Sequence, residues 1–155
     1  YEAMGILWDM TVRGLELEVI SYNSAISACE NGGRWPEAVD AFRALRRRRL
    51  QPDVITYNAA ISACEKGARW HEALGMFLAM SSDSLQPDVI TCSAAISACE
   101  RGTHWREALG VLSGMRLHQI EPNPITYKSA INACEKGMQW DESCGMCADL
   151  MTKIA

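Results

Sequence analysis

Apolar residues recur along the chain at the spacing of an α-helix, in blocks separated by glycine and proline. One block has apolar residues at i, i+3, i+4 and i+7, which share a helical face: Tyr57, Ala60, Ile61 and Cys64. The next block repeats the same pattern from a tryptophan onward: Trp70, Ala73, Leu74, Phe77 and Met80. The pattern therefore predicts two amphipathic helices joined by a short turn, which is an antiparallel helix hairpin.

The hairpin pattern repeats with a period of 35 residues. Three residue types mark the register in four copies: Trp35, Trp70, Trp105 and Trp140; Cys29, Cys64, Cys99 and Cys134; Gly32, Gly67, Gly102 and Gly137. A single hairpin cannot bury both of its apolar faces, whereas a stack of hairpins makes one continuous core. The sequence therefore predicts an all-α solenoid of stacked antiparallel helix pairs, with nine helices and no β-sheet.

The register divides the chain into repeats of one array. Residues 1–18 are the second half of a partial repeat, residues 19–53, 54–88 and 89–123 are complete, and residues 124–155 are a truncated fourth. The chain is thus expected to be a piece of a longer array.

Two sets of glycines carry separate predictions. Gly67 follows Lys66 at the end of a first helix, as expected of a glycine that adopts the left-handed conformation of a helix cap. Gly75, Gly110 and Gly145 recur inside the second helix at a cost of ~1 kcal/mol each relative to alanine. Their recurrence predicts close approach of another helix.

Composition limits the classes of function. Hydrophobic residues make up 48% and charged residues 22% of the sequence, as in a folded globular protein. The net charge of -4 argues weakly against nucleic acid as a partner, because phosphate neutralisation supplies most non-specific affinity. The basic run from Arg46 to Arg49 is expected to be a solvated helix end, where the helix dipole favours cations.

The seven cysteines are predicted to be reduced thiols packed as small hydrophobes, which fits a reducing interior. Cys144 and Cys147 form a C-x-x-C pair, but they take the register positions of Leu74 and Phe77 on the apolar face. No metal site, redox site or cofactor is therefore expected, and no residues suggest a catalytic triad.

The repeat resembles the pentatricopeptide repeat over essentially the whole chain. The matching residues of one unit are Val54-Ile55-Thr56-Tyr57-Asn58, Ile61, Cys64, Gly67, Glu72-Ala73-Leu74, Phe77, Met80 and Pro87-Asp88. The resemblance implies a right-handed superhelix and binding of single-stranded RNA, about one base per repeat. It also implies an organellar location, in the chloroplast or mitochondrion, and a role in mRNA processing, stability, editing or translation. No targeting peptide is visible in the sequence.

The resemblance assigns base-reading roles to the fifth and last residues of each unit. The pairs are Asn23 with Asp53, Asn58 with Asp88, and Ser93 with Asn123. The two Asn–Asp pairs imply uracil and the Ser–Asn pair implies adenine. The second residue of each unit would wedge against the base: Ile20, Ile55 and Ile90. Glu18 and Lys128, which take reading positions at the two ends, depart from the family pattern.

A basic residue near the end of each first helix would contact phosphate: Lys66, Arg101 and Lys136. The same residues also suit the helix C-terminus on electrostatic grounds alone. No enzymatic activity is expected. The alternative function is a protein–protein scaffold that binds a peptide in its concave groove, which the acidic net charge favours.

Overall fold

The computed structural model describes residues 18–138 and, outside that range, residues 5, 6, 9, 10, 12, 13 and 145. Seven α-helices of 13 residues each form this part: α1 Val19–Asn31, α2 Trp35–Arg47, α3 Val54–Lys66, α4 Trp70–Ser82, α5 Val89–Arg101, α6 Trp105–Leu117 and α7 Pro124–Lys136. Between residues 18 and 138 there is no strand. The all-α solenoid is therefore confirmed. The first and ninth predicted helices lie largely outside the described residues, and the handedness of the superhelix stays a prediction.

The helices pack as a stack of hairpins. Each first helix contacts the first helix of the next repeat, so that α1, α3, α5 and α7 form a continuous row. Each second helix packs against the first helix of its own repeat and against that of the next one. No described helix is long and apolar enough to cross a bilayer. The row of first helices is the layer that brings equivalent residues of successive repeats together.

Side-chain caps set where the first helices begin. Asp53 accepts a hydrogen bond from the backbone N–H of Thr56 at 2.8 Å, and the Thr56 hydroxyl accepts one from the Asp53 N–H at 3.1 Å. Asp88 and Thr91 repeat this capping box at the start of α5. Such caps satisfy backbone donors that the first helical turn leaves free.

The left-handed residue after each first helix is not the recurring glycine. Gly67 has a φ of -81°, and the following Ala68 takes the left-handed conformation, with a φ of 53°. Thr103 and Met138 do the same in the next two repeats, at 61° and 57°. The glycine-cap prediction was therefore wrong by one residue.

The recurring glycine is explained instead by a tryptophan of the preceding repeat. Trp70 lies against Gly102, and a Cβ atom placed on Gly102 would lie only 2.8 Å from Cγ of the Trp70 ring. Gly67 faces Trp35 and Gly137 faces Trp105 in the same way. Only a residue without a side chain leaves room for the ring, so this glycine is a packing requirement between repeats.

The glycines inside the second helices do not mark a close approach. A Cβ atom added to Gly75, Gly110 or Gly145 would meet nothing within 4 Å, and all three residues are exposed. The prediction that another helix packs there was wrong. Helical spacing alone does not reveal whether a small residue faces another helix or solvent, and these glycines are exposed to solvent.

The five described cysteines are buried and reduced, as predicted: Cys29, Cys64, Cys92, Cys99 and Cys134. Burial raises the pKa of both Cys64 and Cys99 to about 12, so these thiols stay protonated and unreactive at neutral pH. Cys144 and Cys147 lie outside the described residues.

Of the basic run, Arg46 is exposed but donates to the Tyr57 hydroxyl at 3.2 Å, so it also helps to anchor α3.

Candidate functional site

A hydrogen-bonded pair of polar side chains lies at the junction between the first two complete repeats. The Asn23 side-chain amide, from the first turns of α1, donates to the two carboxylate oxygens of Asp53 at 3.2 and 3.3 Å. Asn58 and Asp88 repeat the arrangement one junction later, at 3.4 and 3.2 Å. The structure therefore brings together both predicted Asn–Asp reading pairs, each half-buried beside the surface.

The carboxylate of each pair is held in its charged form. Burial by itself raises the pKa of Asp53, but hydrogen bonds from Thr56 and Asn23 outweigh it, so the pKa lies below its ordinary value. The pKa of Asp88 is lowered against burial in the same way, by Thr91 and Asn58. A carboxylate can only accept hydrogen bonds, and it therefore turns the amide nitrogen of the asparagine toward itself.

The amide oxygen of each asparagine has its own partner in the following repeat. The Thr56 hydroxyl lies 2.6 Å from Oδ1 of Asn23, and the Thr91 hydroxyl lies 2.5 Å from Oδ1 of Asn58. With the nitrogen held by Asp and the oxygen held by Thr, the amide is fixed at both ends. One N–H and one oxygen lone pair remain to face a ligand.

The third predicted pair is linked indirectly. The Ser93 hydroxyl lies 2.7 Å from the Thr126 hydroxyl, which in turn lies 2.9 Å from Oδ1 of Asn123. The Asn123 side chain also caps α7 by accepting from the Thr126 N–H at 2.8 Å. Ser93 and Asn123 thus belong to one hydrogen-bond network, with Thr126 between them.

An exposed isoleucine lies close to each of these pairs in sequence, one turn before the reading residue. Ile20, Ile55 and Ile90 are 72%, 64% and 62% exposed. An aliphatic side chain so open to solvent adds little to the core, because hydrophobic stabilisation scales with the apolar area that is buried. Ile125 takes the same position in the fourth repeat at 64% exposure, and the sequence interpretation did not include it. The 35-residue register alone was the signal that could have found it.

The three residues predicted to contact phosphate each form an ion pair with the preceding repeat. Lys66 lies 3.0 Å from Glu30, Arg101 lies 2.7 Å from Glu65, and Lys136 lies 3.1 Å from Glu100. The basic side chains are 40–50% exposed, and their glutamate partners are largely covered. Sequence reasoning missed these pairs, although a constant spacing of 36 residues joins each glutamate to its partner. Their contact with phosphate stays a prediction.

The two atypical end positions behave differently from the central ones. Glu18 precedes α1 but makes no side-chain hydrogen bond to cap it, unlike Asp53, Asp88 and Asn123 at the other first helices. Lys128 is exposed at the reading position of α7. Across the described residues, no group of three or more His, Cys, Asp or Glu side chains is placed to hold a metal ion.

Solved structures of pentatricopeptide repeat proteins have the same fold as this chain. The pentatricopeptide repeat protein PPR10 from maize is 27% identical, with a TM-score of 0.71 over 97% of this chain and 21% of that one. PPR10 in complex with an 18-nt psaJ RNA element is 23% identical, with a TM-score of 0.74 over 95% of this chain and 22% of that one. The chain thus spans about a fifth of the length of PPR10.

A third structure matches most of a smaller domain. The PPR domain of Arabidopsis thaliana protein-only RNase P 1, in complex with tRNA, has a TM-score of 0.86 at 15% identity, over 99% of this chain and 81% of that one. No curated protein matches this sequence closely enough to count as a relative. The PPR repeat family model matches residues 17–66 and 52–101. These matches cover more than half of the sequence and include the five helices α1 to α5, so the chain belongs to the pentatricopeptide (PPR) repeat family.

Proposed function

We propose that this chain binds single-stranded RNA with base selectivity, about one base per repeat. The observation that carries the proposal is the row of fixed polar side chains, each one turn after an exposed isoleucine and repeated at every junction. Two of the solved structures with this fold are described as complexes with RNA, one with an 18-nt psaJ RNA element and one with tRNA. The same surface chemistry would serve that function here.

The chemistry of the row suits nucleobases. Each asparagine presents one N–H donor beside one oxygen acceptor, which matches the alternating donors and acceptors on the Watson–Crick edge of a pyrimidine. An exposed isoleucine next to it offers an apolar surface for a base that has left its stack. Reading Asn23/Asp53, Asn58/Asp88 and Ser93/Asn123 in order, we expect a preference for 5′-UUA.

The prediction for base reading is tested by titrating the chain with labelled oligomers centred on UUA or on CCC at low salt. Binding to UUA should be tighter, and Asn58→Ala should abolish the preference at the second base. At Asp88, the partner of Asn58, asparagine is a better replacement than alanine. Asp88→Ala would also remove the cap of α5, at a cost of about 1 kcal/mol.

Asn31→Ala is the matched control, because it deletes an exposed amide at the far end of α1. It should leave the preference for UUA unchanged. Equal binding of the unmodified chain to both oligomers would contradict base reading by this part of the array.

The ion pairs give a second prediction, about affinity. If Arg101 contacts phosphate, Glu65 competes with the RNA for its charge. Glu65→Gln should then raise affinity for all sequences by roughly two- to fivefold at low salt, as expected for one half-exposed charge. Arg101→Gln should lower affinity for all sequences, and the gain from Glu65→Gln should vanish in the double variant. If Glu65→Gln does not raise the affinity for RNA, the ion pair between Arg101 and Glu65 has a structural role only.

The proposal also covers the location of the protein, its role and an alternative partner. An organellar location and a role in RNA processing would suit this class of repeat, and we propose no enzymatic activity for the chain itself. A peptide partner is the second candidate, favoured by the net charge of -4 and by the glutamate held against each basic side chain. Failure of every RNA titration at low salt would move the assignment to that candidate.

A further inference from the structure

Three threonine side chains lie completely buried at the junctions between repeats, although a hydroxyl is costly to bury without partners. They are the third residues of their helices: Thr56 in α3, Thr91 in α5 and Thr126 in α7, each 0% exposed. Their sequence position marks them only as members of the repeated Ile-Thr motif. Their contacts reach across the junction to the previous repeat.

Each hydroxyl meets the reading residue of the preceding repeat, which lies 33 residues earlier in the chain. The oxygen–oxygen distances are 2.6 Å from Thr56 to Asn23, 2.5 Å from Thr91 to Asn58, and 2.7 Å from Thr126 to Ser93. The contact is therefore present for all three reading residues, even where the reading side chain changes from an amide to a hydroxyl.

The direction of these hydrogen bonds follows from counting protons. A threonine hydroxyl has one proton and can accept two hydrogen bonds. The Thr91 hydroxyl already accepts the Asp88 N–H at 3.2 Å, so its proton is left for Oδ1 of Asn58 or Oδ1 of Asp88, at 2.5 and 2.8 Å. The contact with Asn58 is the shorter of the two. Oδ1 of Asp88 also already accepts a hydrogen bond from the backbone N–H of Thr91, so the proton goes to Asn58.

We propose that these threonines are positioning residues of the base-reading sites: each sets which side of the preceding repeat's reading residue donates and which side accepts. The inference rests on the proposed RNA binding. Uracil offers an acceptor, O4, beside the N3–H donor, whereas cytosine offers an amino donor beside the N3 acceptor. An amide turned over by 180° would match cytosine in place of uracil, and Thr91 together with Asp88 prevents that turn at Asn58.

The third junction gives a separate consequence for adenine. By the same criterion as for Thr91, the Thr126 proton goes to Ser93 at 2.7 Å, because Oδ1 of Asn123 is farther away, at 2.9 Å, and already accepts the Thr126 N–H. Ser93 then keeps its own proton for a base. A hydroxyl held as a donor suits the N1 acceptor of adenine and disfavours the N1–H of guanine.

The test uses two valine variants of the whole chain, because valine keeps the shape of threonine and removes the hydroxyl. Oligomers carrying each of the four bases at one position are titrated at low salt. Thr91→Val should reduce the preference for uracil over cytosine at the second base by roughly three- to tenfold, the range expected for one hydrogen bond. Thr126→Val should reduce the preference for adenine over guanine at the third base alone.

A positioning role and a purely structural role predict different changes in binding, because only a positioning role changes the preference at a single base. A loss of cap stability would weaken binding to all bases together and leave the preference ratios unchanged, and that result would overturn the inference. Thr91→Ser and Thr126→Ser keep the hydroxyl and should restore the ratios. If the unmodified chain prefers UUA but both valine variants keep its ratios, the inference fails and RNA binding stands. If the unmodified chain shows no preference, base reading and the inference fail together.

Discussion

Replacing Trp70 with alanine is expected to lower the free energy of unfolding by about 3 kcal/mol, the lower part of the range for a buried tryptophan. The ring is half-buried, packs against the core at the junction and lies against Gly102 of the next repeat. It also stacks on His104, with 3.5 Å between ring centroids. Urea unfolding followed by far-UV circular dichroism measures the change.

The matched control is Leu78→Ala in the same helix α4, since that side chain is 67% exposed. It should change the free energy of unfolding by less than about 0.5 kcal/mol. A loss below about 1 kcal/mol for Trp70→Ala would mean that the ring is not a packing element. The tryptophans would then become candidates for a binding surface.

Replacing Gly102 with alanine is expected to lower the free energy of unfolding by roughly 1–3 kcal/mol, the usual cost of overpacking. The added methyl group would occupy the space of the Trp70 ring, which is rigid and cannot swing away as the end of a flexible side chain would. In the Trp70→Ala background the same change should cost less than about 0.5 kcal/mol, because the clash with the ring has been removed and only the movable end of His104, at 3.0 Å, stays close. Urea unfolding of the unmodified chain, the two single variants and the double variant gives the coupling free energy between Trp70 and Gly102.

Gly75→Ala is the opposite control for glycine. This residue lies inside α4, is exposed, and has nothing within 4 Å of its missing Cβ. Alanine there should stabilise the chain by about 0.5–1 kcal/mol through its higher helix propensity. Equal destabilisation by Gly75→Ala and Gly102→Ala would contradict the distinction between a packing glycine and a surface glycine.

The periodic pattern was enough to predict the architecture, because burial of an apolar face and stacking of neighbours are properties of every repeat. The helices α1, α3, α5 and α7 begin at Val19, Val54, Val89 and Pro124, the first residues of the predicted units. The resemblance to the family also named pairs that the structure places in contact, such as Asn23 with Asp53. Their function in reading bases stays a prediction.

Other features could not be read from the pattern. Lys66 was interpreted as a phosphate contact, and its ion pair with Glu30 depends on how closely two first helices approach. Gly67 was interpreted as the left-handed residue of the cap, whereas Ala68 takes that conformation and Gly67 makes room for Trp35. In both cases the partner belongs to the previous repeat and lies more than 30 residues away.

The sequence by itself determined the helix pairs, the 35-residue register and the buried face of each first helix, because these depend on local periodicity and on repetition. Apart from the Asn–Asp pairs, the tertiary structure alone decided which side chains meet across a junction. The hydroxyl of Thr91 against Asn58, the ring of Trp70 against Gly102 and the carboxylate of Glu65 against Arg101 all depend on the offset between stacked repeats. That offset results from the packing of whole helices, so no single repeat contains the information that sets it.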